Sequence, residues 1–149
     1  MMSLHSLSRR IYYRLSPRGR LLLRRIYYLP ADLFRRRDAM IPPRGMIFVG
    51  SGDFVRQGLQ QRDTIIRCTD LKPNATMLDV GSGIGRLAVA MTGYLTAEGR
   101  FEGFDVVKKG VDWCQKHITR RYPNFVFTHI DLKNDLYNLS TETAARDFV

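Results

Sequence analysis

Apolar positions change their spacing several times along this chain. Phe54, Val55, Leu59, Ile65, Ile66 and Leu71 recur at helical intervals, so the pattern predicts a helix over 54–71 with Ser51 or Asp53 as cap. Lys72-Pro73-Asn74 ends it. Residues 75–80 form a short buried-strand pattern that runs into Gly81-Ser82-Gly83-Ile84-Gly85. Ile84, Leu87, Ala88, Met91 and Leu95 return to helical spacing, and Gly99 stands where a helix would stop. Residues 101–104 predict a second strand ending in Asp105. Val107, Val111, Cys114 and Ile118 then mark a further helix, with Lys116, Arg120 and Arg121 near its negative dipole end. Pro123-Asn124 turns the chain into a third strand, 125–130, which ends in Asp131.

Strand and helix therefore alternate, the mark of an α/β fold. Right-handed crossovers place the strands parallel, in the order third, second, first. The expected fold is an α/β parallel sheet with flanking helices, preceded by a basic helical arm. The longest apolar runs, 46–49 and 125–127, are strand-sized, and none approaches the roughly 20 residues of a membrane span.

The arm is set apart by charge. The 149 residues carry 24 basic and 14 acidic side chains, a net charge of +10. Residues 1–45 hold eleven arginines against Asp32 and Asp38, whereas 46–149 are close to neutral. This divides the chain into a basic amphipathic arm and linker, 1–45, and an α/β domain, 46–149. Arg9-Arg10-Ile11-Tyr12-Tyr13 returns as Arg24-Arg25-Ile26-Tyr27-Tyr28. Ser16-Pro17 supplies a helix start between the copies. Two helices are expected, over 5–15 and 17–28, with Pro30 after them and an extended linker at Pro42-Pro43.

Such an arm can pack its Ile, Leu and Tyr face on the domain, or meet an anionic membrane surface or a nucleic-acid backbone. Four tyrosines in 28 residues count against a cleaved organelle-targeting segment, and Arg24-Arg25 interrupts any secretory core at Leu21-Leu22-Leu23. Two cysteines, Cys68 and Cys114, give neither a disulfide framework nor a zinc spacing. A reducing, cytoplasmic setting and no metal site are the expectations.

The chemistry lies where the strands end, because open parallel sheets bind ligands at their carboxyl edge. Glycines at 81, 83 and 85 let the backbone turn tightly and let a ligand lie against it. The following helix is expected to present free N–H groups. Asp105 can accept two hydrogen bonds from a ribose diol, and Asp131, one strand further out, can accept from an adenine amine. Gly83-Ile84-Gly85-Arg86-Leu87-Ala88 also fits a dinucleotide fingerprint loosely. Asp79 argues against that reading, since a carboxylate there repels a pyrophosphate and suits an ammonium.

Residues 77–86 resemble the first motif of class I S-adenosylmethionine-dependent methyltransferases: an apolar strand, an acid, an apolar residue, then GxGxG. Asp105 and Asp131 are similar to that family's second- and third-strand acids. Gly50-Ser51-Gly52-Asp53-Phe54 with Gly58, Asp112-Trp113-Cys114 and Pro123-Asn124-Phe125 resemble a bacterial subgroup of the same family. The resemblance covers roughly residues 40–138.

It implies S-adenosylmethionine as cofactor, with Gly81, Ser82, Gly83 and Gly85 beneath its methionine part and Asp79 near the ammonium. It implies Asp105 on the ribose, Val106 lining the adenine, and Asp131 with the Leu132 N–H at the adenine edge. Phe54 would cover the methionine end. Trp113, His117 and His129 read as packing residues, and no residue stands out as a catalytic base.

The implied activity is methyl transfer to an acceptor, a small molecule rather than a nucleic acid because the domain is almost neutral. The family's Rossmann-like parallel sheet has about seven strands, so the resemblance implies a sheet truncated after the third strand, a chain that carries the cofactor half, and an open edge that favours self-association. The alternatives are an inactive binding module working through the arm, and a nicotinamide-dependent oxidoreductase.

Overall fold

The computed structural model describes residues 17–34, 38–47 and 52–132. The helix expected over 5–15, the candidate cap Ser51 and the chain after 132 lie outside them. The described residues fall into two compact units.

The first unit is a helix, α1 (Pro17–Phe34), with a 3-10 turn at Arg44–Met46. α1 runs six residues beyond the expected end and passes through Pro30. An interior proline removes one intrahelical hydrogen bond, and here it does so on an exposed stretch where water can serve the freed carbonyl. Met46, the first residue of the strand-sized apolar run 46–49, closes the 3-10 turn, and 48–49 lie outside the described residues. The Asp32 carboxylate accepts from the Arg44 and Gly45 N–H groups at 3.0 and 3.2 Å, and these bonds fix the turn.

The second unit holds the sheet. α2 (Phe54–Thr69) starts at Asp53, whose carboxylate accepts from the Arg56 N–H at 2.8 Å, and stops at Asp70 in the left-handed conformation. There follow β1 (Thr76–Val80), α3 (Arg86–Met91), β2 (Arg100–Asp105), α4 (Lys108–Cys114), a π-type turn over Gln115–Thr119, and β3 (Phe125–His129). The strands pair in parallel in the order β1-β2-β3, with Val80 opposite Phe104 and Asp105 opposite His129. Every carboxyl end therefore lies on one edge, as the crossover rule requires.

α3 is far shorter than the apolar spacing over 84–95 predicts. Gly85 enters it in the left-handed conformation, and beyond Met91 tertiary bonds capture the chain. The Tyr94 hydroxyl donates to the Leu71 carbonyl, and the Thr96 N–H donates to the Pro73 carbonyl at 2.8 Å. These contacts override a local helical preference.

One face of the sheet carries the core. Phe101 stacks on Phe125, ring centroids 5.2 Å apart, and tilts against Phe127; Ala88, Met91, Val111, Cys114 and Ile118 close over them. Burying an aromatic or branched side chain stabilises by about 1.5–3 kcal/mol, so this cluster is the main attachment of α3 and α4 to the strands. Gln115 and Thr119 then donate side-chain hydrogen bonds to the Phe127 and Phe125 carbonyls, at 2.9 and 2.7 Å, covering the outer side of β3. The opposite face is left open by the described residues: Leu78 is 59% exposed and Val80 69%. Parallel sheets are ordinarily covered on both faces.

Candidate functional site

The loop after β1 is the first element at the carboxyl edge. Gly81, Gly83 and Gly85 have φ of 79°, 58° and 80°, the left-handed region that glycine enters without strain. At Gly81 an added Cβ would meet nothing within 4 Å. That side of the loop is therefore bare backbone beside open space. At Gly85 the same atom would stand 2.7 Å from Ile118 and 2.8 Å from the Cys114 sulfur, so this end of the loop is seated in the core.

The loop's amides are used inside the fold. The Gly81 and Ser82 N–H groups both donate to the Phe104 carbonyl, at 2.9 and 3.0 Å, and the Gly85 N–H donates to the Ser82 carbonyl at 3.0 Å. The Gly83 N–H donates to Asp105 Oδ2 at 2.7 Å, while Asp105 Oδ1 accepts from the Val107 N–H at 2.7 Å. Four of the five amides from 81 to 85 are thereby committed. With α3 only six residues long, the anion-binding helix start expected from the sequence is reduced to little.

Asp105 is 8% exposed and joins three pieces of the edge. Its two oxygens hold the glycine loop and the start of α4, and its own carbonyl accepts from the Ile130 N–H at 3.1 Å. Each carboxylate oxygen has a second lone pair, which leaves capacity toward a diol. Gly110 lets the arrangement close: a Cβ there would stand 2.4 Å from the Gly83 carbonyl oxygen.

Asp79 is the chemically unsettled member. It sits opposite Gly103 in the β1–β2 register, on the same face as Asp105, and no hydrogen bond or ion pair reaches it among the described residues. Burial, and then the charge of Asp105, push its carboxyl above the ordinary aspartate value. Burial, with the same two acids nearby, also drives the Cys114 thiol far upward, so Cys114 stays a neutral floor to the loop. A half-buried carboxylate lacking a cation marks a place where a positive ligand group would be stabilised.

The other expected residues are placed as follows. Ser82 turns inward, its hydroxyl buried without a partner and 3.0 Å from where a Cβ on Gly103 would stand. Val106 is half-buried beyond Asp105, and its carbonyl lies 3.3 Å from His129 Nε2. Asp131 and Leu132 follow β3 on the same edge; Asp131 is exposed and the Leu132 N–H donates to the Ile130 carbonyl at 2.9 Å. Phe54 is buried, with the Arg86 guanidinium 5.6 Å from its ring centre, and Arg86 also donates to Gln57. Trp113 stacks on His117, ring centres 3.8 Å apart, in keeping with packing roles for both. The described residues contain no cluster of three or more candidate metal ligands.

Sequence spacing alone did not single out Gly103, Gly110 or Cys114 as part of this edge. Their signal is steric and appears only once β2 and α4 are laid against the loop.

No family model matches the chain. Among solved structures it is similar to coclaurine N-methyltransferase bound to N-methylheliamine and SAH, with 16% identity over 85% of this chain and 42% of that one, at a TM-score of 0.49. It is similar to a SAM-dependent methyltransferase from Aquifex aeolicus (20% identity, 54% and 43% covered, TM-score 0.41). It is also similar to TrmN from Thermus thermophilus (18% identity, 49% and 22% covered, TM-score 0.43). The chain spans less than half the length of each of these three.

Proposed function

We propose that the carboxyl edge binds S-adenosylmethionine and that the chain is the cofactor-binding half of a methyltransferase. One juxtaposition carries the reading. Asp79, half-buried and without a cation, stands beside a glycine loop whose outer surface is bare and whose amides are mostly spent. A pyrophosphate needs free amide donors and no adjacent carboxylate, whereas an amino acid joined to a sulfonium needs room and a negative charge.

In this reading Gly81 and Gly83 pass beneath the methionine portion and Asp79 takes its ammonium. Asp105, held rigid by the Gly83 and Val107 amides, offers its remaining lone pairs to the ribose hydroxyls. Val106 lines the adenine, and Asp131 with Leu132 lies at its outer edge. When bound, the cofactor supplies an electrophilic methyl group on sulfur. The residues of this chain bind and orient it; the acceptor is a small molecule, in keeping with the near-neutral composition of residues 46–149.

Calorimetry on the full chain with S-adenosylhomocysteine and, separately, with NAD tests this. Saturable binding of the first and none of the second is the expected result. A folded sample that binds NAD and ignores S-adenosylhomocysteine overturns it in favour of the oxidoreductase reading.

A further inference from the structure

α1 is amphipathic in a way that the described residues of its own unit leave unused. A helix advances about 100° per residue. Positions 22, 26, 29 and 33 thus form one line along it and 23, 27, 30 and 34 the next, and all eight are apolar: Leu, Ile, Leu, Leu and Leu, Tyr, Pro, Phe. Leu22, Ile26 and Tyr27 are 61%, 62% and 77% exposed, and Leu23 and Leu29 are about half exposed. The far side of the helix is the covered one. There Asp32 holds the turn at 44–46, Gly45 packs directly on the backbone of Arg25, and Tyr28 is half-buried beside Tyr27. The turn packs on the side of α1 that carries Arg25 and Asp32 and leaves Leu22, Leu23, Ile26, Tyr27 and Leu29 facing outward.

Charge completes the pattern. Positions 20 and 24 border the stripe on one side, 18 and 25 on the other, and all four are arginine. The sole acid of α1, Asp32, is occupied by the turn. Along the sequence, residues 1–45 carry eleven arginines and two aspartates. We infer that α1 is an interfacial helix that lays Leu22, Ile26 and Leu29 into an anionic lipid surface, with its bordering arginines at the phosphates.

The stripe decides between anionic partners. A nucleic-acid backbone would use the arginines and leave five large apolar side chains in water; a lipid surface uses both sets. Tyr27 at the edge of the stripe suits the headgroup layer, and the helix is not long and apolar enough to cross a bilayer.

Flotation of the full chain with phosphatidylcholine vesicles, with and without about a third phosphatidylserine, tests the inference. Binding is expected on the anionic vesicles only. The triple substitution Leu22→Ser, Ile26→Ser, Leu29→Ser keeps every charge, removes no buried side chain, and is expected to lower partitioning roughly tenfold or more. An independent readout places an environment-sensitive dye at Ile26→Cys in a Cys68→Ser background, which leaves only the buried Cys114. A blue shift on anionic vesicles supports the insertion.

Three results overturn it. The first is absence of binding to the anionic vesicles. The second is partitioning unchanged by the triple substitution, with salt-sensitive binding to single-stranded RNA equally unchanged. The third is self-association abolished by the same substitution in a chain that ignores vesicles, which assigns the stripe to a second copy.

Discussion

Asp105 Oδ2 accepts the Gly83 N–H at 2.7 Å, so the acid that ends β2 fixes the middle of the loop that follows β1. Its other oxygen accepts from Val107, and the side chain is almost fully buried. A carboxylate can receive two such donors at once; an amide offers only one acceptor and turns an N–H₂ toward the second donor. Asp105→Asn is therefore expected to destabilise the protein by about 1–3 kcal/mol. It should also abolish S-adenosylhomocysteine binding, because the loop loses its template. Urea unfolding and calorimetry check both parts. An unchanged unfolding midpoint would mean that the clamp adds nothing to stability.

Asp79 should behave in the opposite sense. Burial, reinforced by Asp105, raises its pKa above 3.8, so the folded protein holds that proton more tightly than the unfolded chain does. The stabilising form is the protonated one. Its contribution is complete at low pH and is lost as pH rises from 3.8 through the raised value. At neutral pH the ionised carboxylate is a burden that a cationic ligand relieves. Asp79→Asn is expected to raise the melting temperature of the ligand-free protein by about 2–4 °C at pH 7 and to flatten its acid-side pH dependence. The same change should weaken S-adenosylhomocysteine binding about tenfold or more. A variant that is less stable and binds normally contradicts the assignment.

Two glycines with nearly the same φ should respond differently to alanine. Gly81→Ala meets only the left-handed backbone cost, about 1–2 kcal/mol, since nothing lies within 4 Å of the added carbon. Its methyl group enters the open space that the proposed cofactor would occupy, so binding should fail in a protein that still folds. Gly85→Ala adds a collision with Ile118 and Cys114 to the same backbone cost. A further loss of about 1–3 kcal/mol is expected from that overpacking. The two unfolding midpoints in urea, measured side by side, separate the effects.

The open face of the sheet makes a fourth prediction. Leu78 and Val80 stand exposed on β1, with Phe104 and Val126 half-buried on the same side. Sedimentation velocity is expected to show association that grows with concentration, and Leu78→Lys with Val80→Lys should suppress it without lowering the melting temperature. A concentration-independent monomer would show that this face is protected.

Much of the fold was legible because the relevant signals are local. The run of apolar residues before Gly81, the acids at 105 and 131 and the breaks at Pro73 and Pro123 each mark an element end within a few residues. The parallel order followed from crossover handedness alone. What escaped was non-local. Nothing near Leu95 announces that Tyr94 and Thr96 are tied to the chain at 71–73, so α3 read too long. Nothing near Met46 announces that Asp32, twelve residues before Arg44, gathers 44–46 into a turn.

The arrangement of the candidate site was legible in the same uneven way. Glycine spacing and strand-end acids placed the loop, Asp79 and Asp105 on one edge. That Asp105 would be tied up by backbone amides, and that the loop would spend its own donors internally, depends on the exact turn of the backbone. Residue identities do not encode that turn one by one.

The Gly83 carbonyl rests against Gly110, leaving no gap for even one carbon atom between loop and helix. The two segments consequently cannot change their relative placement independently. Adding or deleting a single residue between Asp105 and Gly110 would rotate α4 by about 100° and bring a bulkier neighbour under the loop. A variant that keeps the loop is therefore constrained more by the length of that connection than by the identity of the residues composing it.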